Sequence, residues 1–439
     1  MLMHARSNPS IHDDGAMADR VFRKVAWRLL PLFIVCYAVA YLDRVNIGFA
    51  KLSMSADLGL GDAAYGLGAG IFFVGYVIFE VPSNIMLHQL GARAWIARIM
   101  VSWGILSGAF AFINGTWAFC IMRFLLGIAE AGFFPGILLY LTYWFPAARR
   151  GQVIALFMIA IPLAGLVGGP LSGMIMTWSD GAFGWAGWRW MFLLEALPAL
   201  LLGLMLPFLL VSRVTDARWL NDAEKAVIAN HLAADKATTP QVHSGVRDII
   251  TNPLLLKFSF IYLCAIMGQY GITFWLPTMI ANFSHQSPLL VGLFSAFPYA
   301  CAVVSMIAVG RHSDRTGERR WHVALPFLVG AVGLAVAPLF PGSAILSLAL
   351  LCVAAAGTLT ATPLFWNLPT GALSGRAAAV GIAAINSVGN LAGFLSPFLV
   401  GWITQRSGSI TMGMFALAGM LVIGAAMVFF RSAPAPARG

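Results

Sequence analysis

The feature that most constrains this chain is a series of twelve long apolar stretches, each near the roughly 20 residues that a helix needs to cross a bilayer. The sequence is 60% hydrophobic and only 10% charged, and its mean hydropathy is +0.83. That is too much apolar surface for one water-soluble core, so we expect an all-α membrane protein. The stretches, numbered here as spans 1 to 12, lie near residues 28–48, 66–88, 95–113, 117–144, 150–176, 189–211, 254–281, 290–310, 321–339, 343–366, 376–403 and 409–430.

A long polar stretch divides the spans into six and six. The predicted organisation is an N-terminal segment (1–27), a six-helix bundle (28–211), a central loop (212–253), a second six-helix bundle (254–431) and a C-terminal tail (432–439). Lys and Arg are concentrated on the side of the N-terminus, which predicts that both termini and the central loop are cytoplasmic. This bias accounts for the net charge of +10 without a nucleic-acid partner. The exceptions are Arg44, Lys51, Arg123, Arg189 and Arg406.

The two halves carry traces of an internal repeat. The stretch from Gly310 to Arg319, after span 8, lies 226 residues beyond Asn84–Arg93, after span 2, so that Gly317 aligns with Gly91 and Arg319 with Arg93. Small-residue ladders in spans 5 and 11 would let neighbouring backbones approach closely. Such repeats predict two pseudo-symmetric halves with a substrate site between them near mid-bilayer.

Two spans contain charges that should lie at membrane depth. Arg123 and Glu130 are two helical turns apart in span 4, and Asp43 and Arg44 are adjacent in span 1. Intramembrane charges usually face a cavity or the bundle interior, which makes a functional site the default hypothesis. Arg44 and Arg123 are predicted to bind a carboxylate through both guanidinium groups.

The alternative is a purely structural role, in which these charges only hold the helices together and Asp43 pairs with Arg123 and Glu130 with Arg44. Tyr37 and Tyr41 share one helical stripe with Arg44, so we expect their hydroxyl groups to orient the substrate.

Glu130 and Asp43 are the carboxyls predicted to carry protons. Burial should bring the titration of Glu130 toward the physiological range. The alternative is a permanently neutral glutamic acid bonded to a carbonyl group. Glu80 and Glu195 are predicted to be structural, with nearby basic or backbone donors as partners, and the alternative is a role in transport.

The second half offers neutral polar groups instead of charges. Further substrate-binding candidates are Gln269, Tyr270, Asn386, Asn390 and Trp366, because amides can bond substrate hydroxyls and aromatic rings can pack its carbon skeleton. Trp275 and Tyr299 are candidates for the same packing. The alternative is that the amides are interhelical contacts and that Trp275 and Trp366 are interfacial residues.

Several motifs make the chain similar to the major facilitator superfamily. The patterns are GxxxDRxGxRR at Gly310–Arg320 and GxxxGPxxG at Gly165–Gly173. More specifically, YLDRVNIGFA from Tyr41, FEVPSN from Phe79, GARAWIARIM from Gly91 and RFLLGIAEAGFFPG from Arg123 resemble its anion:cation symporter branch, including tartrate and hydroxyphenylacetate permeases.

The resemblance implies proton-coupled import of an organic carboxylate by a monomer in the plasma membrane, which is the inner membrane of a Gram-negative host. A hydroxy acid such as tartrate is favoured over an aromatic acid such as hydroxyphenylacetate, phthalate or nicotinate. It also implies a gating role for the loops that contain Gly91, Arg93, Gly310, Asp314, Arg315, Gly317 and Arg319. The first loop departs from the pattern, with His88 and Ala92 where acidic and basic residues are usual.

Rival functions are a uniporter or exchanger, a non-transporting receptor and a membrane enzyme. No GxxxxGK[ST], HExxH or GxSxG pattern occurs, so neither ATP use nor hydrolysis has a residue set to carry it. We therefore expect no enzyme activity, no cofactor and no metal, with the proton gradient as the energy source.

Overall fold

The computed structural model describes residues 9–238, 252–284, 287–372 and 375–430, and every regular element in those ranges is a helix. Twelve helical segments are long and apolar enough to cross a membrane, which confirms the predicted spans. In the first half they are Gly15–Leu58, Asp62–Leu90, Ala92–Phe112, Gly115–Thr142, Ala160–Trp178 and Gly187–Leu209. In the second half they are Pro253–Asn282, Pro288–Thr316, Arg320–Leu339, Ala344–Thr370, Ala384–Ser407 and Ile410–Phe429.

Because the number of spans is even, Pro9 and Phe430 lie on the same side of the membrane. We call this the terminal side and the other the opposite side. The odd-numbered spans run from the terminal to the opposite side, and the even-numbered spans return. This direction places the loop after span 2 and the loop after span 8 together on the terminal side.

The helix of span 1 begins well before the predicted residue 28, at Pro9. Its additional turns are amphipathic: Ala18, Val21, Phe22 and Val25 are all buried. That spacing of three and four residues places them on one helical face, which packs on the first half outside the predicted span. The predicted N-terminal segment is therefore helical from Pro9 onward.

A polar contact fixes this extension to a helix of the central loop, Asp222–Thr238. Lys24 donates to both carboxylate oxygens of Glu224 at 2.8 Å. Together with the backbone N–H of Asn221, it holds the pKa of Glu224 below its usual range. Residues 239–251 of the predicted central loop and the predicted tail (432–439) lie outside the described residues.

Span 4 is interrupted in its middle. One helix ends at Glu130 and the next begins at Phe133. Between them Gly132 adopts a left-handed backbone with φ of +86°, which favours glycine. The break places Glu130 at a helix end inside the membrane, and such discontinuous helices are frequent at transport sites.

The two halves contact each other closely on the opposite side. A Cβ atom at Gly292 of span 8 would lie 2.2 Å from the carbonyl oxygen of Gly169 in span 5. A Cβ atom at Gly66 of span 2 would lie 2.3 Å from the carbonyl oxygen of Pro397 in span 11. Only glycine allows this approach, in agreement with the predicted role of the small-residue ladders.

Hydrogen bonds reinforce the same interface. The backbone N–H of Ala63 donates to Gln405 at 2.9 Å, and that of Leu289 donates to Thr177 at 3.0 Å. The Tyr65 hydroxyl donates to the carbonyl of Phe274 at 3.0 Å. All these groups lie toward the opposite side, so the interface between the halves is sealed there.

Candidate functional site

The centre of the candidate site is an ion pair between Arg44 of span 1 and Glu130 of span 4. Both residues are buried, with exposed fractions of 7% and 1%. Arg44 donates through one terminal nitrogen to Oε1 of Glu130. The Nε atom of Arg44 and the Oε2 atom of Glu130 are buried and have no partner among the described residues. The pair therefore retains an unused donor and an unused acceptor.

Aromatic side chains surround the Arg44 guanidinium. Its Cζ atom lies 5.5 Å from the ring centroids of Tyr41, Phe72 and Tyr76. Tyr37 packs edge-on against Tyr41, with their ring centroids 5.9 Å apart. Rings at this distance stabilise a cation without occupying its hydrogen-bond donors.

Two predicted second-half residues interact with the first half here, one through Tyr41 and one with Arg44 itself. Gln269 donates from Nε2 to the Tyr41 hydroxyl at 2.6 Å, which links span 7 to span 1. Tyr270 interacts electrostatically with Arg44 and is 5% exposed. The structure thus brings together Tyr41, Gln269 and Tyr270 from opposite halves around Arg44.

Arg123 is bound differently. It is 1% exposed, and its guanidinium donates to the backbone carbonyls of Gly68 at 3.3 Å and Ala69 at 3.2 Å. It also lies 4.8 Å from the Phe72 ring that Arg44 contacts. The two cations are therefore at similar depth, but in this conformation the donors of Arg123 are directed to span 2. Its substrate-binding role stays a prediction.

Asp43 faces away from its neighbour Arg44. Its carboxylate accepts hydrogen bonds from Trp103 Nε1 at 2.7 Å, from the Ser107 hydroxyl and from Asn46 Nδ2 at 3.2 Å. The alternative in which the charges only hold the helices together predicted two ion pairs. The Arg44–Glu130 pair is present, and no direct Asp43–Arg123 pair occurs among the described residues.

Glu195 of span 6 belongs to the same polar network. It accepts from the Ser172 hydroxyl at 2.7 Å and from Asn46 Nδ2 at 3.0 Å. The expectation of basic or backbone donors was wrong, because the donors are a hydroxyl and a side-chain amide. Sequence reasoning missed Trp103, Ser107, Asn46 and Ser172, since neutral donors have no signature until their carboxyl partners are located. The one available signal was the four-residue spacing of Trp103 and Ser107 on span 3.

The remaining second-half candidates lie near a separate aromatic cluster. Trp366 and Phe365 pack on Tyr262, with ring centroids 4.8 and 5.0 Å away. Asn386 and Asn390 are half-buried on span 11. Gly389 between them is so close to Tyr262 that a Cβ atom would lie 2.3 Å from that ring. Trp366 therefore packs on Tyr262, and span 11 approaches that ring at Gly389. Among the described residues, no ion pair or ring contact joins Trp366, Asn386 or Asn390 to Arg44.

Two other aromatic candidates, Trp275 and Tyr299, pack between helices. Trp275 is fully buried in the sealed interface, where the Lys51 ammonium lies 4.4 Å from its ring centroid. Tyr299 packs against Gly165, whose added Cβ would lie 2.4 Å from its ring. Trp275 is thus buried between the two halves and is not exposed at the membrane–water interface.

The predicted gating residues lie on the terminal side. Asp314 and Arg315 lie in the last turn of span 8 and not in a loop, because the helix continues to Thr316. Asp314 pairs with Arg319, just beyond the helix, at 2.7 Å, and Arg315 is exposed. Gly317 and Gly91 have φ of +69° and +86°, so each allows a sharp turn at a helix end. Within the described ranges, no ion pair joins this loop to the first half. Gly310 and Arg93 are half-buried.

The known proteins to which this chain is similar are membrane transporters. A family model described as Major Facilitator Superfamily matches residues 33–397. A protein of Agrobacterium vitis named "Putative tartrate transporter" is 46% identical over 428 residues, covering 96% of this chain and 95% of the relative. One of Pseudomonas putida named "Putative metabolite transport protein NicT" is 44% identical over 416 residues, with 95% of each covered.

Solved structures agree in fold. The crystal structure of a D-xylose-proton symporter superposes with a TM-score of 0.73 at 16% sequence identity, covering 92% of this chain and 97% of that one. The superposition supports the architecture of two six-helix halves. The low sequence identity carries no information about the substrate.

Proposed function

We propose, since the chain belongs to the Major Facilitator Superfamily, that it imports a small organic carboxylate together with protons across the plasma membrane. Family membership makes it a membrane transporter rather than an enzyme. In this proposal the terminal side is cytoplasmic and the protein acts as a monomer.

The observation that carries the proposal is the unused hydrogen-bonding capacity of the Arg44–Glu130 pair. A buried guanidinium with a free Nε–H is able to bind a second carboxylate beside Glu130. Buried polar atoms without partners are costly, which favours a ligand or water in that position. A permanent helix staple would have no need of the free atoms.

The substrate we favour is a hydroxylated acid. The Tyr41 ring lies beside Arg44, and its hydroxyl and the Gln269 amide can exchange their mutual hydrogen bond for bonds to substrate hydroxyls. The name of the A. vitis relative refers to tartrate. Aromatic acids are the second candidate class, because Tyr37 and Phe157 form a stacked pair at 4.6 Å near the site.

Proton coupling follows from the charge that the substrate carries. Moving an anion into an inside-negative cell costs about 2.3 kcal/mol per charge at 100 mV. A dianion with two protons moves no net charge. Glu130 and Asp43 are the proposed carriers, because both are buried carboxyls and they belong to separate hydrogen-bond networks.

The test is uptake of labelled tartrate and nicotinate by the purified protein in liposomes. Accumulation of tartrate above equilibrium under an inward proton gradient would support the proposal. Equilibration of tartrate that does not depend on the proton gradient would indicate a uniporter or exchanger. Binding without flux would indicate a receptor. Preferential uptake of nicotinate would assign the aromatic class instead.

A further inference from the structure

Glu195 is a buried carboxyl that has no role in the transport cycle proposed above. It is 3% exposed, and its two hydrogen-bond donors, Ser172 and Asn46, are neutral. Within the described ranges it forms no ion pair with Lys, Arg or His. An ionised carboxylate is expensive to bury without a cation, and such a group takes up a proton instead.

Asn46 connects Glu195 to Asp43. Its Nδ2 atom donates to Oε2 of Glu195 at 3.0 Å and to Oδ1 of Asp43 at 3.2 Å, which uses both N–H bonds of the amide. The Oδ1 atom of Asn46 has no partner in the described part of the chain, although the residue is fully buried. A buried acceptor without a donor costs free energy. A protonated carboxyl would supply that donor after rotation of the amide.

The charged group that acts on Glu195 among the described residues is the carboxyl of Asp43. Span 1 contributes Asp43 and Asn46, span 5 contributes Ser172, and span 3 contacts span 6 through Gly108 and small apolar groups. Arg189, on the same span as Glu195, donates instead to the backbone carbonyl of Ile113 at 3.3 Å. Arg123 is the cation that acts electrostatically on Asp43.

We propose that Glu195 is a proton-binding site of the transport cycle, and that Asn46 is the positioning residue that links its protonation to that of Asp43. The charged form accepts from Asn46 Nδ2, and the neutral form donates its O–H to Asn46 Oδ1. Only the carboxyl O–H bond forms or breaks, and the proton is exchanged with water on either side of the membrane. This inference rests on the proposed proton-coupled transport.

The experiment has one readout that needs no transport. Infrared difference spectra of the purified protein between acid and alkaline pH report the C=O band of each carboxyl that loses its proton. Wild type should show one more such band than Glu195→Gln. Identical spectra would overturn the inference whatever the protein transports.

The second readout is the proton-to-tartrate ratio, taken from the pH gradient at which net tartrate flux is zero in liposomes whose membrane potential is clamped at zero. Glu195→Gln should lower this ratio by one proton and retain tartrate counterflow, whereas the exposed-carboxyl control Asp57→Asn should match wild type. An unchanged ratio in Glu195→Gln would overturn the inference. A wild type without any response to the proton gradient would overturn the proposed function itself.

Glu195→Gln could also fail to fold, so Glu195→Asp is the second variant. It keeps a titratable group one methylene shorter. We expect the wild-type ratio with a displaced pH dependence of uptake, and an unaltered pH dependence would contradict the inference.

Discussion

Asp43 and Arg44 are adjacent residues that serve different networks. Successive side chains on a helix point about 100° apart. Arg44 therefore faces Glu130 and the aromatic rings, while Asp43 faces Trp103 and Ser107 of span 3. The carboxyl and the cation can consequently change their partners independently.

Replacement of Arg44 by alanine should weaken carboxylate binding by about 100-fold, or roughly 3 kcal/mol, because a charge-assisted bidentate contact is lost. Arg44→Lys should rescue binding poorly, since an ammonium group lacks the planar fork. Isothermal titration with tartrate checks both variants.

The control addresses the charge that Arg44→Ala leaves alone. Breaking a buried pair typically costs about 3–5 kcal/mol, so the single variant is also expected to lose stability. The double variant Arg44→Ala/Glu130→Gln removes the isolated charge and should recover stability without recovering binding. Binding like that of the Glu130→Gln protein would make Arg44 a helix contact only.

Glu130→Gln imitates a permanently protonated carboxyl. We expect tartrate counterflow to persist while accumulation driven by a pH gradient is lost, because the amide cannot release a proton. Comparison of the two assays in the same liposomes checks this. Wild-type accumulation under the same gradient would exclude Glu130 as a coupling site.

At the scale of elements, the contacts between spans 5 and 8 and between spans 2 and 11 depend on close backbone approach. The Gly169–Gly292 and Gly66–Pro397 contacts leave no room for a methyl group. Two such contacts on one side suggest that the halves separate there as rigid bodies when the site opens to the opposite side.

Gly292→Ala should destabilise this sealed interface by about 1–3 kcal/mol, the usual cost of overpacking. The expected result is greater labelling, from the opposite side, of a cysteine introduced beside the site. Gly419→Ala on span 12 is the matched control, since a Cβ there meets no atom within 4 Å. Equal labelling in both variants would show that the contact does not govern opening.

Asp314→Asn should change the transport rate several-fold and leave tartrate affinity within about twofold of wild type. Asp314, in the last turn of span 8, contacts Arg319 just beyond that helix, and it lies on the terminal side, far from Arg44 in the chain. Initial rates and equilibrium binding separate the two effects. A large loss of affinity at an unaltered rate would contradict a gating role.

For the whole molecule, hydropathy predicted all twelve spans because membrane crossing is encoded locally in about 20 consecutive residues. The early start of the first helix was missed, although the spacing of Ala18, Val21, Phe22 and Val25 contained the signal. The charged residues of the site were also predictable, since charge within an apolar span is conspicuous.

The partners of those charges were not predictable in the same way. The Asn46 link to Glu195 joins residues 149 positions apart, and the Tyr41–Gln269 contact joins residues 228 positions apart. Neither can be inferred from local spacing, because each depends on how whole spans pack. The bond between Asp43 and Ser107 is hidden from sequence for the same reason.

Substrate binding should stabilise the folded protein as a whole. A ligand present at 100 times its dissociation constant adds about 2.7 kcal/mol to the free energy of unfolding. A thermal-shift screen should therefore reveal a carboxylic acid that raises the melting temperature of wild type. The same acid should leave the Arg44→Ala/Glu130→Gln double variant unaffected, and an equal shift in both proteins would place the binding elsewhere.

The Tyr41–Gln269 hydrogen bond would make binding depend on the length of the substrate. Gln269 donates to the Tyr41 hydroxyl, and in the proposed binding mode a substrate hydroxyl replaces one partner of this bond. An acid with a single short chain can bind Arg44 and leave this bond intact. An acid whose second polar group extends past the Tyr41 ring must open the bond, and with it a link between the halves. Selection among acids would then depend on reach as much as on charge.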